Sequence, residues 1–453
     1  MITVILGLLG LSIVVLVHEF GHFFAAKAVG VDVEAFSIGW GPKLAGFTWK
    51  GTEWRISAFP LGGYCRMKGE EAFKKALEEK LPSIPAEPRS YYGVSPWRRL
   101  VILFSGPLAN IVLAVFLFSI VSLVGMTINT APNRIVLASS IPSSANQGSN
   151  PADSAGLRSG DIIREIAGIP VRDYSDLQSI IGSNPEKNLD MVVLRDETSL
   201  SLQVTPKLDK STGQGLIGIF AWVDPVIESV EPGSAAAIAG LRAQDRILSV
   251  DGQPVQNTIE LIAALEKMPE RVTFGISRGT QELNATMVVG GLEKGFAETG
   301  FQFQGLRRVD KANSLPVAIG NGFKETADTL TLTIKGFGML FRGVDIFKAL
   351  SGPARITYFV GSAATESLKD SGASGIPTIL SFLAFLSVGL FMMNLLPIPA
   401  LDGGQAVLCL VEIAGRRPLK TKTIYRYQFV GAAMILAIFV IATFGDFLFF
   451  AGR

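Results

Sequence analysis

Residues 16–24 of the chain read Leu-Val-His-Glu-Phe-Gly-His-Phe-Phe. Two imidazoles and a carboxylate therefore lie inside an apolar run that begins at the first residue and is long enough for a membrane-spanning helix. The chain contains only two histidines, and both are here. Ionisable groups are costly inside a membrane helix and are by default functional there. The stretch therefore predicts a helix that carries a functional site.

The spacing of these groups is typical of one kind of site. His18 and His22 are four residues apart, so a helix places both on one face. Two imidazoles at this spacing can bind one zinc ion, and Glu19 on the adjacent face can take a proton from water bound to it. This HExxH pattern predicts a metalloprotease centre with zinc as cofactor and Glu19 as catalytic base.

The composition is that of a membrane protein with soluble parts. Of the 453 residues 48% are hydrophobic, and the net charge of +2 gives no basis for nucleic acid binding. Cys65 and Cys409 are the only cysteines and lie far apart. The sequence therefore implies no disulfide framework.

Four apolar segments are long enough to span a bilayer. They are residues 1–28, which contain the HExxH pattern, 98–126, 376–403 and 427–449. No Lys or Arg precedes the first segment, so we expect a retained helix rather than a cleaved signal peptide. The predicted fold class is a polytopic α-helical membrane protein with four transmembrane helices.

The distribution of Lys and Arg sets the expected orientation. Twelve of them lie in residues 27–99 and five in the short connection at 404–426, so both loops face the cytoplasm by the positive-inside rule. Both termini and the long region between the second and third spans then lie outside. We expect a multi-pass protein in the lipid bilayer of the bacterial inner membrane, with its active site near the cytoplasmic side.

A sequence pattern in the outer region occurs twice. AGLRxxDxIxxxxGxPV begins at Ala155 and again at Ala239, an offset of 84 residues (239 − 155 = 84). The pattern resembles that of PDZ domains. We therefore expect two tandem extracytoplasmic α+β PDZ domains, at 127–222 and 223–308.

The role of this pair is open between two interpretations. PDZ domains bind an extended peptide along a strand edge, and 215–220, with its weaker partner at 300–303, is a candidate binding strand. Alternatively, these are core strands, and the domains only exclude bulky proteins. Residues 309–375 are amphipathic, and either lie on the membrane surface or form a helical cap on the second repeat.

A catalytic zinc needs a third protein ligand, and the chain has no third histidine. Asp402 is the stronger candidate, because it ends the third apolar segment in the stretch NLLPIPALDGG at 394–404. The prolines there break a helix, and Gly403 and Gly404 let the backbone approach a metal. Cys409 is the weaker alternative.

The cytoplasmic loop at 29–97 contains a further candidate element. Residues 52–67 read as a hairpin-like pair of strands. A substrate helix has to be unwound before cleavage, because its carbonyls are bonded within the helix. An exposed strand edge at Gly62, Gly63 and Tyr64 can hold the unwound segment by β-addition.

HEFGH at 18–22 and NLLPIPALDGG at 394–404 resemble the motifs of the site-2 protease family of intramembrane metalloproteases. The tandem repeat between the second and third spans is similar to that of its bacterial branch, the regulator of sigma-E protease. The resemblance implies that His18, His22 and Asp402 are zinc ligands and that Glu19 is the catalytic base.

The resemblance also implies how substrate is bound. Asn394, Pro397 and Pro399 fall in the family's substrate-contacting stretch, and the loop sheet would dip into the membrane. The implied substrate is a single-span membrane protein, an anti-sigma factor already trimmed by a first extracytoplasmic cleavage, or a remnant signal peptide. Its cleavage would serve an envelope stress response.

Two competing hypotheses stay open. One is a non-proteolytic PDZ scaffold or membrane chaperone with a vestigial metal site, which an intact HExxH with a third ligand disfavours. The other is a metal transporter, which predicts further polar residues across the spans. Spans two and four have almost none.

Overall fold

The computed structural model describes residues 2–141, 150–265, 270–288, 299–340, 352–371 and 375–451. These residues form two units. The first joins Met1–Met126 to Asp310–Arg453, and the second is Thr127–Val309. Each unit is described below by itself.

Among the described residues of the first unit, four helices are long and apolar enough to cross a membrane. They are Thr3–Ala28, Pro96–Val124, Ile376–Leu395 and Thr421–Ala451. The prediction of four apolar spanning helices is thus confirmed. The third ends at Leu395, before the predicted boundary at 403, because Pro397 and Pro399 follow it and cannot continue a helix.

The first helix, α1 (Ile2–Ala28), leads into a sheet built by two long strands, β1 (Val33–Trp49) and β2 (Thr52–Met67). Lys50 and Gly51 connect them with positive φ angles of 47° and 77°, as in a tight two-residue hairpin turn. Both strands bend, so the sheet contains four segments in the order 43–49, 52–57, 33–38 and 63–67. Residues 52–67 therefore pair with β1 and do not form a hairpin by themselves.

This sheet exposes several large apolar side chains. Trp40, Leu44, Phe47 and Trp49 are each more than half exposed. The ammonium group of Lys50 lies 4.8 Å from the ring centroid of Trp49, at the tip of the hairpin. A patch of this kind is uncommon on a surface that faces water, so the sheet suits contact with lipid.

The chain then forms α2 (Glu70–Glu78) and the second spanning helix, α3 (Pro96–Val124). Pro96 occupies the first helical turn, where its missing N–H is not needed, and Gly125 ends the helix with a φ of 94°. Helices α3 and α1 pack closely, since a Cβ atom on Gly21 of α1 would collide with the carbonyl of Ser105. The glycine of HEFGH therefore brings the two helices together.

The second unit contains two copies of one arrangement. The elements from residue 126 to residue 310 are β3 (Met126–Thr130), β4 (Ile135–Leu137), α4 (Pro151–Ser154), β5 (Ile162–Ile166), β6 (Ile169–Pro170), α5 (Tyr174–Gly182), β7 (Leu189–Arg195), β8 (Thr198–Val204), β9 (Lys207–Leu208), β10 (Gly215–Leu216), β11 (Ile219–Ala221), β12 (Ile227–Val230), α6 (Ala235–Ile238), β13 (Arg246–Val250), β14 (Gln253–Pro254), α7 (Thr258–Leu265), β15 (Arg271–Arg278), β16 (Gln281–Val288), β17 (Phe301–Phe303) and β18 (Leu306–Asp310). The four-stranded sheets have the orders β6-β5-β7-β8 and β14-β13-β15-β16. In each copy the last strand pairs with the first, β11 with β4 and β17 with β12. The equal topology agrees with the sequence repeat.

The repeated aspartate has the same structural role in both copies. Arg195 donates hydrogen bonds of 2.7 and 2.8 Å to Asp161, and Arg278 donates two of 2.7 Å to Asp245. Both aspartates are buried. The Asp of the repeated pattern therefore fixes a turn to a strand in each copy.

The final strands of the two copies align differently from the prediction. Gly218 and Gly300 have φ angles of 81° and 79°, and a Cβ atom on either would collide with the residue that precedes a short helix, Asn150 or Ser234. The two glycines are thus equivalent, at an offset of 82 (300 − 218 = 82). Residues 300–303 match 218–221, two positions from the alignment that an offset of 84 predicts.

The described part of residues 309–375 forms two long helices. They are α8 (Leu315–Leu340), which packs against α3, and α9 (Pro353–Ser371), which packs against α1. Close contacts pass through glycine, because a Cβ atom on Gly322 would collide with Ser119, and one on Gly7 would collide with Thr357. These helices belong to the first unit.

The last part of the chain contains the third span, α10 (Ile376–Leu395), a shorter helix, α11 (Asp402–Gly415), and the fourth span, α12 (Thr421–Ala451). Residues 404–426 were expected to be a loop, but most of them are helical. The stretch from Gln405 to Ile413 is largely apolar and packs against α3, which stabilises a helix too short to span a membrane.

Candidate metal centre

The two histidines of α1 lie side by side within the protein. His18 and His22 are 5% and 7% exposed, and their Nε2 atoms are 3.1 Å apart. The rings are nearly perpendicular, with centroids 4.7 Å apart. Their placement one helical turn apart thus directs both Nε2 atoms to one point, as the sequence spacing predicts.

Asp402 reaches the same point from the distant end of the chain. Its Oδ2 atom lies 3.2 Å from Nε2 of His18 and 3.3 Å from Nε2 of His22. It is the first residue of α11, after the turn that Pro397 and Pro399 impose on the backbone.

The glycines that follow Asp402 are required by this turn. A Cβ atom on Gly403 would collide with the carbonyl of Leu395, and one on Gly404 with the carbonyl of Ile398. The backbone of α11 therefore approaches the end of α10 more closely than other residues allow. This contact holds the first turn of α11 against the end of α10.

The three atoms have the spacing expected for one face of a tetrahedral metal site. Their separations are 3.1, 3.2 and 3.3 Å. Ligand atoms at about 2.0–2.1 Å from zinc with tetrahedral angles are about 3.3–3.4 Å apart, which is close to these distances. Oδ2 of Asp402 is buried without a hydrogen-bond partner, as expected of an atom reserved for a cation. The residues present therefore fit a zinc ion.

No other cluster of this kind occurs among the residues that the structure describes, where His18, His22 and Asp402 are the only group of three potential ligands. Cys409 is buried in the apolar contact between α3 and α11 and is not part of the group. Asp446 is not part of the group either, and it accepts hydrogen bonds from the backbone N–H groups of Gly352, Ala354 and Arg355.

The outer nitrogens of the two imidazoles contact α3. Nδ1 of His22 donates a hydrogen bond of 2.9 Å to the carbonyl of Ile102, which leaves the lone pair of its Nε2 atom free for a metal. Nδ1 of His18 lies 3.2 Å from the side-chain amide of Asn110. The amide oxygen of Asn110 is buried without a partner, and turning the amide by half a rotation makes it the acceptor for that N–H.

Gly106 and Asn110 lie in the stretch SGPLAN at 105–110, which resembles an element of the site-2 protease family or indicates close helix packing, but neither was predicted as a site residue. A Cβ atom on Gly106 would collide with the ring of His22. A single Asn inside the apolar second span was the signal that could have indicated the site, since buried polar groups in spans are commonly functional. Gly106 gives no such signal until the packing of α3 against α1 is known.

Glu19 lies beside the three potential ligands. It interacts electrostatically with His18, His22 and Asp402. Its carboxylate accepts a hydrogen bond from the backbone N–H of Cys65 on β2. The carboxyl group of Glu19 is therefore held between α1 and the sheet. This is the position that a base acting on metal-bound water requires.

The residues predicted to contact substrate occupy two places. Gly62, Gly63 and Tyr64 lie on β2, where Gly62 has a φ of 73° and approaches the side chain of Val15 on α1. Residues 63–67 form an outer segment of the sheet, paired on one side with 33–38. This segment therefore has one edge without a strand partner among the described residues.

Asn394 lies in the last turn of α10, and Pro397 and Pro399 lie between the end of that helix and Asp402. Pro397 is exposed, Asn394 is partly exposed, and Pro399 is buried. The carbonyl of Pro399 accepts a hydrogen bond of 2.8 Å from the side chain of Gln405. The two prolines thus form the turn next to the site, and Asn394 precedes it.

Comparison with known families gives a match along nearly the whole chain. The profile of peptidase family M50 matches residues 6–438. A predicted zinc metalloprotease of Treponema pallidum is 40% identical over 452 residues, covering 99% of this chain and all of that protein. A predicted zinc metalloprotease of Borreliella burgdorferi is 30% identical and covers 98% of both chains.

A further relative is the regulator of sigma-E protease RseP of Escherichia coli, which is 28% identical over 465 residues and covers 97% of both chains. The order of motifs, the four apolar helices and the clustered ligands agree with these matches. The chain belongs to peptidase family M50, the site-2 protease family of membrane zinc metalloproteases.

Proposed function

We propose that the chain cleaves membrane-embedded substrates at a zinc site formed by His18, His22 and Asp402, with Glu19 as the general base. The observation that carries the proposal is the triangle of Nε2, Nε2 and Oδ2 atoms with edges of 3.1–3.3 Å. Three protein ligands leave the fourth tetrahedral position open, as in catalytic zinc sites.

A bound zinc ion would supply Lewis acidity, which polarises a peptide carbonyl and lowers the pKa of water to about 7. Glu19 takes the proton of the attacking water and later passes it to the leaving nitrogen. Ile102 and Asn110 keep the two imidazoles in the tautomer whose Nε2 atom faces the site. The burial of both histidines excludes bulk water, which strengthens the electrostatic interactions of the site.

The sheet next to α1 supports a role in substrate binding. A transmembrane substrate has to expose its scissile carbonyl by leaving the helical conformation. The free edge of residues 63–67 can pair with such an extended segment by β-addition. Because the backbone of Cys65 already bonds Glu19, a segment on this edge lies beside the catalytic carboxyl group. Gly62, Gly63 and Tyr64 would then contact substrate.

Asn394, Pro397 and Pro399 are proposed to contact substrate from the opposite direction. Asn394 ends the third span, and the two prolines form the turn that connects it to Asp402, so a substrate that reaches the zinc would pass them. The amide of Asn394 can bond the substrate backbone or the developing oxyanion.

The proposed topology follows the positive-inside rule, with loops 29–97 and 404–426 in the cytoplasm and the two PDZ-like repeats outside. In this orientation the repeats meet a substrate before it reaches the zinc. They would admit single-span proteins whose outer domain has been trimmed, and exclude the intact ones. An anti-sigma factor or a remnant signal peptide is the proposed substrate class, supported by the RseP relative.

The proposal is tested by cleavage of a single-span model substrate, with a shortened outer domain, in proteoliposomes. Glu19→Gln is expected to lower the rate by about 10²- to 10⁴-fold while zinc content stays unchanged. Glu70→Gln on α2 is the matched control and is expected to keep full activity. Unchanged cleavage by Glu19→Gln would contradict the proposal, and no cleavage by either the wild-type protein or the control would favour a non-proteolytic scaffold.

A further inference from the structure

A buried ion pair joins α3 and α11 at a distance from the metal site. Arg99 is 7% exposed and Glu412 is 6% exposed, and the guanidinium donates a hydrogen bond to Oε2 of Glu412. The other carboxylate oxygen accepts the N–H of Leu419 at 2.9 Å, and the guanidinium carbon lies 5.8 Å from the ring centroid of Tyr91. The catalytic mechanism does not use these charges.

The same two helices also carry parts of the metal site. On α3, Gly106 lies against His22 and Asn110 against His18, seven and eleven residues after Arg99. These spacings place the three residues on one face of α3. On α11, Asp402 and Glu412 are ten residues apart, or about 15 Å along the helix axis. The helices are therefore antiparallel, with the ion pair at one end and the zinc ligands at the other.

Between these ends the contact is apolar. Its buried members are Leu100 and Leu103 on α3 with Ala406 and Cys409 on α11, and Ile413 packs against them. Apolar contacts are non-directional, so they allow α11 to rotate or slide a little at low cost. A buried charged pair has one favourable geometry and can therefore specify a register that apolar packing does not.

We propose that Arg99 and Glu412 are positioning residues that fix the register of α11 on α3 and thereby place Asp402 at the zinc. The inference rests on the proposed function, because it takes Asp402 to be a zinc ligand. Loss of the pair would leave both helices folded while Oδ2 of Asp402 moves out of the triangle. Separations of 3.1–3.3 Å leave little tolerance for such a shift.

The chain offers a matched control. Asp446 on α12 is equally buried and faces the guanidinium of Arg355 on α9 at 3.5 Å. It also accepts three backbone N–H groups at the start of α9. This pair lies on neither α3 nor α11. Its disruption therefore reports the general cost of breaking a buried ion pair.

The experiment measures the zinc dissociation constant of metal-free protein in detergent, by titration with zinc against a competing chelator, together with the thermal unfolding temperature. Glu412→Gln is expected to weaken zinc binding by about 10- to 100-fold. The double variant Arg99→Met with Glu412→Met restores apolar packing, so it is expected to keep the unfolding temperature yet show the same weakening. Asp446→Asn is expected to lower the unfolding temperature without changing zinc affinity.

Two results would overturn the inference. One is wild-type zinc affinity in the double Met variant. If Glu412→Gln does not fold, the double Met variant alone tests whether the ion pair is needed for zinc binding. The other is an equal loss of zinc affinity in Asp446→Asn. Asp402→Ala is measured beside them. If Asp402→Ala binds zinc like the wild type, the proposed function fails. If Asp402→Ala loses zinc while the ion-pair variants keep wild-type affinity, only the role of the ion pair is refuted.

Discussion

The Oδ2 atom of Asp402 lies 3.2 Å from Nε2 of His18, although these residues come from opposite ends of the chain. Helix α1 brings the histidine, and the turn after the third span brings the carboxylate. The second span, α3, touches both histidines at their outer nitrogens. The site therefore depends on the packing of three separate helices.

Gly106→Ala should disturb the site directly. Its Cβ atom would collide with the ring of His22, so the imidazole has to move from its place beside His18. We expect zinc binding to weaken by at least about 10-fold. Gly389→Ala on α10 is the control, because no atom lies within contact of its added Cβ and zinc affinity should not change. Equal zinc affinity in both variants would show that this contact does not matter.

Asn110→Leu should also weaken zinc binding. The substitution removes the only side-chain partner that the structure gives to Nδ1 of His18, so the imidazole loses its fixed tautomer. We expect a loss of about 10- to 100-fold in zinc affinity, measured by chelator competition. Asn110→Asp retains an acceptor and should retain most of the affinity. A wild-type result for Asn110→Leu would refute this role.

The exposed apolar side chains of the sheet between β1 and β2 should contact lipid. Phe47 is exposed and lies on the outermost segment of the sheet. An environment-sensitive dye on Phe47→Cys should report an apolar surrounding in proteoliposomes, and the same dye on Lys80→Cys should report water. Reaction at Cys409 is limited by its burial, and unsubstituted protein corrects for Cys65. A water-like signal at position 47 would contradict membrane insertion of the sheet.

The ion pair of the second repeat should make stability depend on pH. Burial alone would raise the pKa of Asp245, but hydrogen bonds from Arg278 and the N–H of Arg242 outweigh it, so the pKa lies below 3.8. A depressed folded pKa contributes stability that is present above the unfolded pKa and is lost as pH falls through the folded one.

Asp245→Asn should therefore lower the free energy of unfolding at pH 7 by about 1–3 kcal/mol. The difference from wild type should shrink below about pH 4. Thermal unfolding followed between pH 7 and pH 3 checks this. A difference that stays constant with pH would show that the charge of Asp245 is not what stabilises the repeat.

The sequence predicted those parts of the site that depend on local periodicity. His18 and His22 converge because a helix repeats every 3.6 residues, and Asp402 was found through the prolines and glycines around it. Gly106 and Arg99 could not be found in this way. Their roles depend on which face of α3 meets α1 and α11, which no local pattern specifies.

The fold shows the same division. The four apolar helices follow from hydropathy, and the duplicated unit follows from the repeated pattern. Residues 404–426 were expected to be a loop, so the start of α11 was missed, whereas the close backbone approach that Gly403 and Gly404 permit was expected. A sheet was expected in the loop at 29–97, but the bounds of the long β1 strand were not, because its turn, Lys50-Gly51, lacks the usual Asn or Asp.

The central claim is that Asp402 completes the metal site, and zinc content tests it most directly. Mass spectrometry of detergent-purified wild type, Asp402→Ala and Cys409→Ala gives the number of zinc ions per chain. The account predicts about one zinc in the wild type and in Cys409→Ala, and much less in Asp402→Ala. Full zinc in Asp402→Ala, or its loss in Cys409→Ala alone, would contradict it.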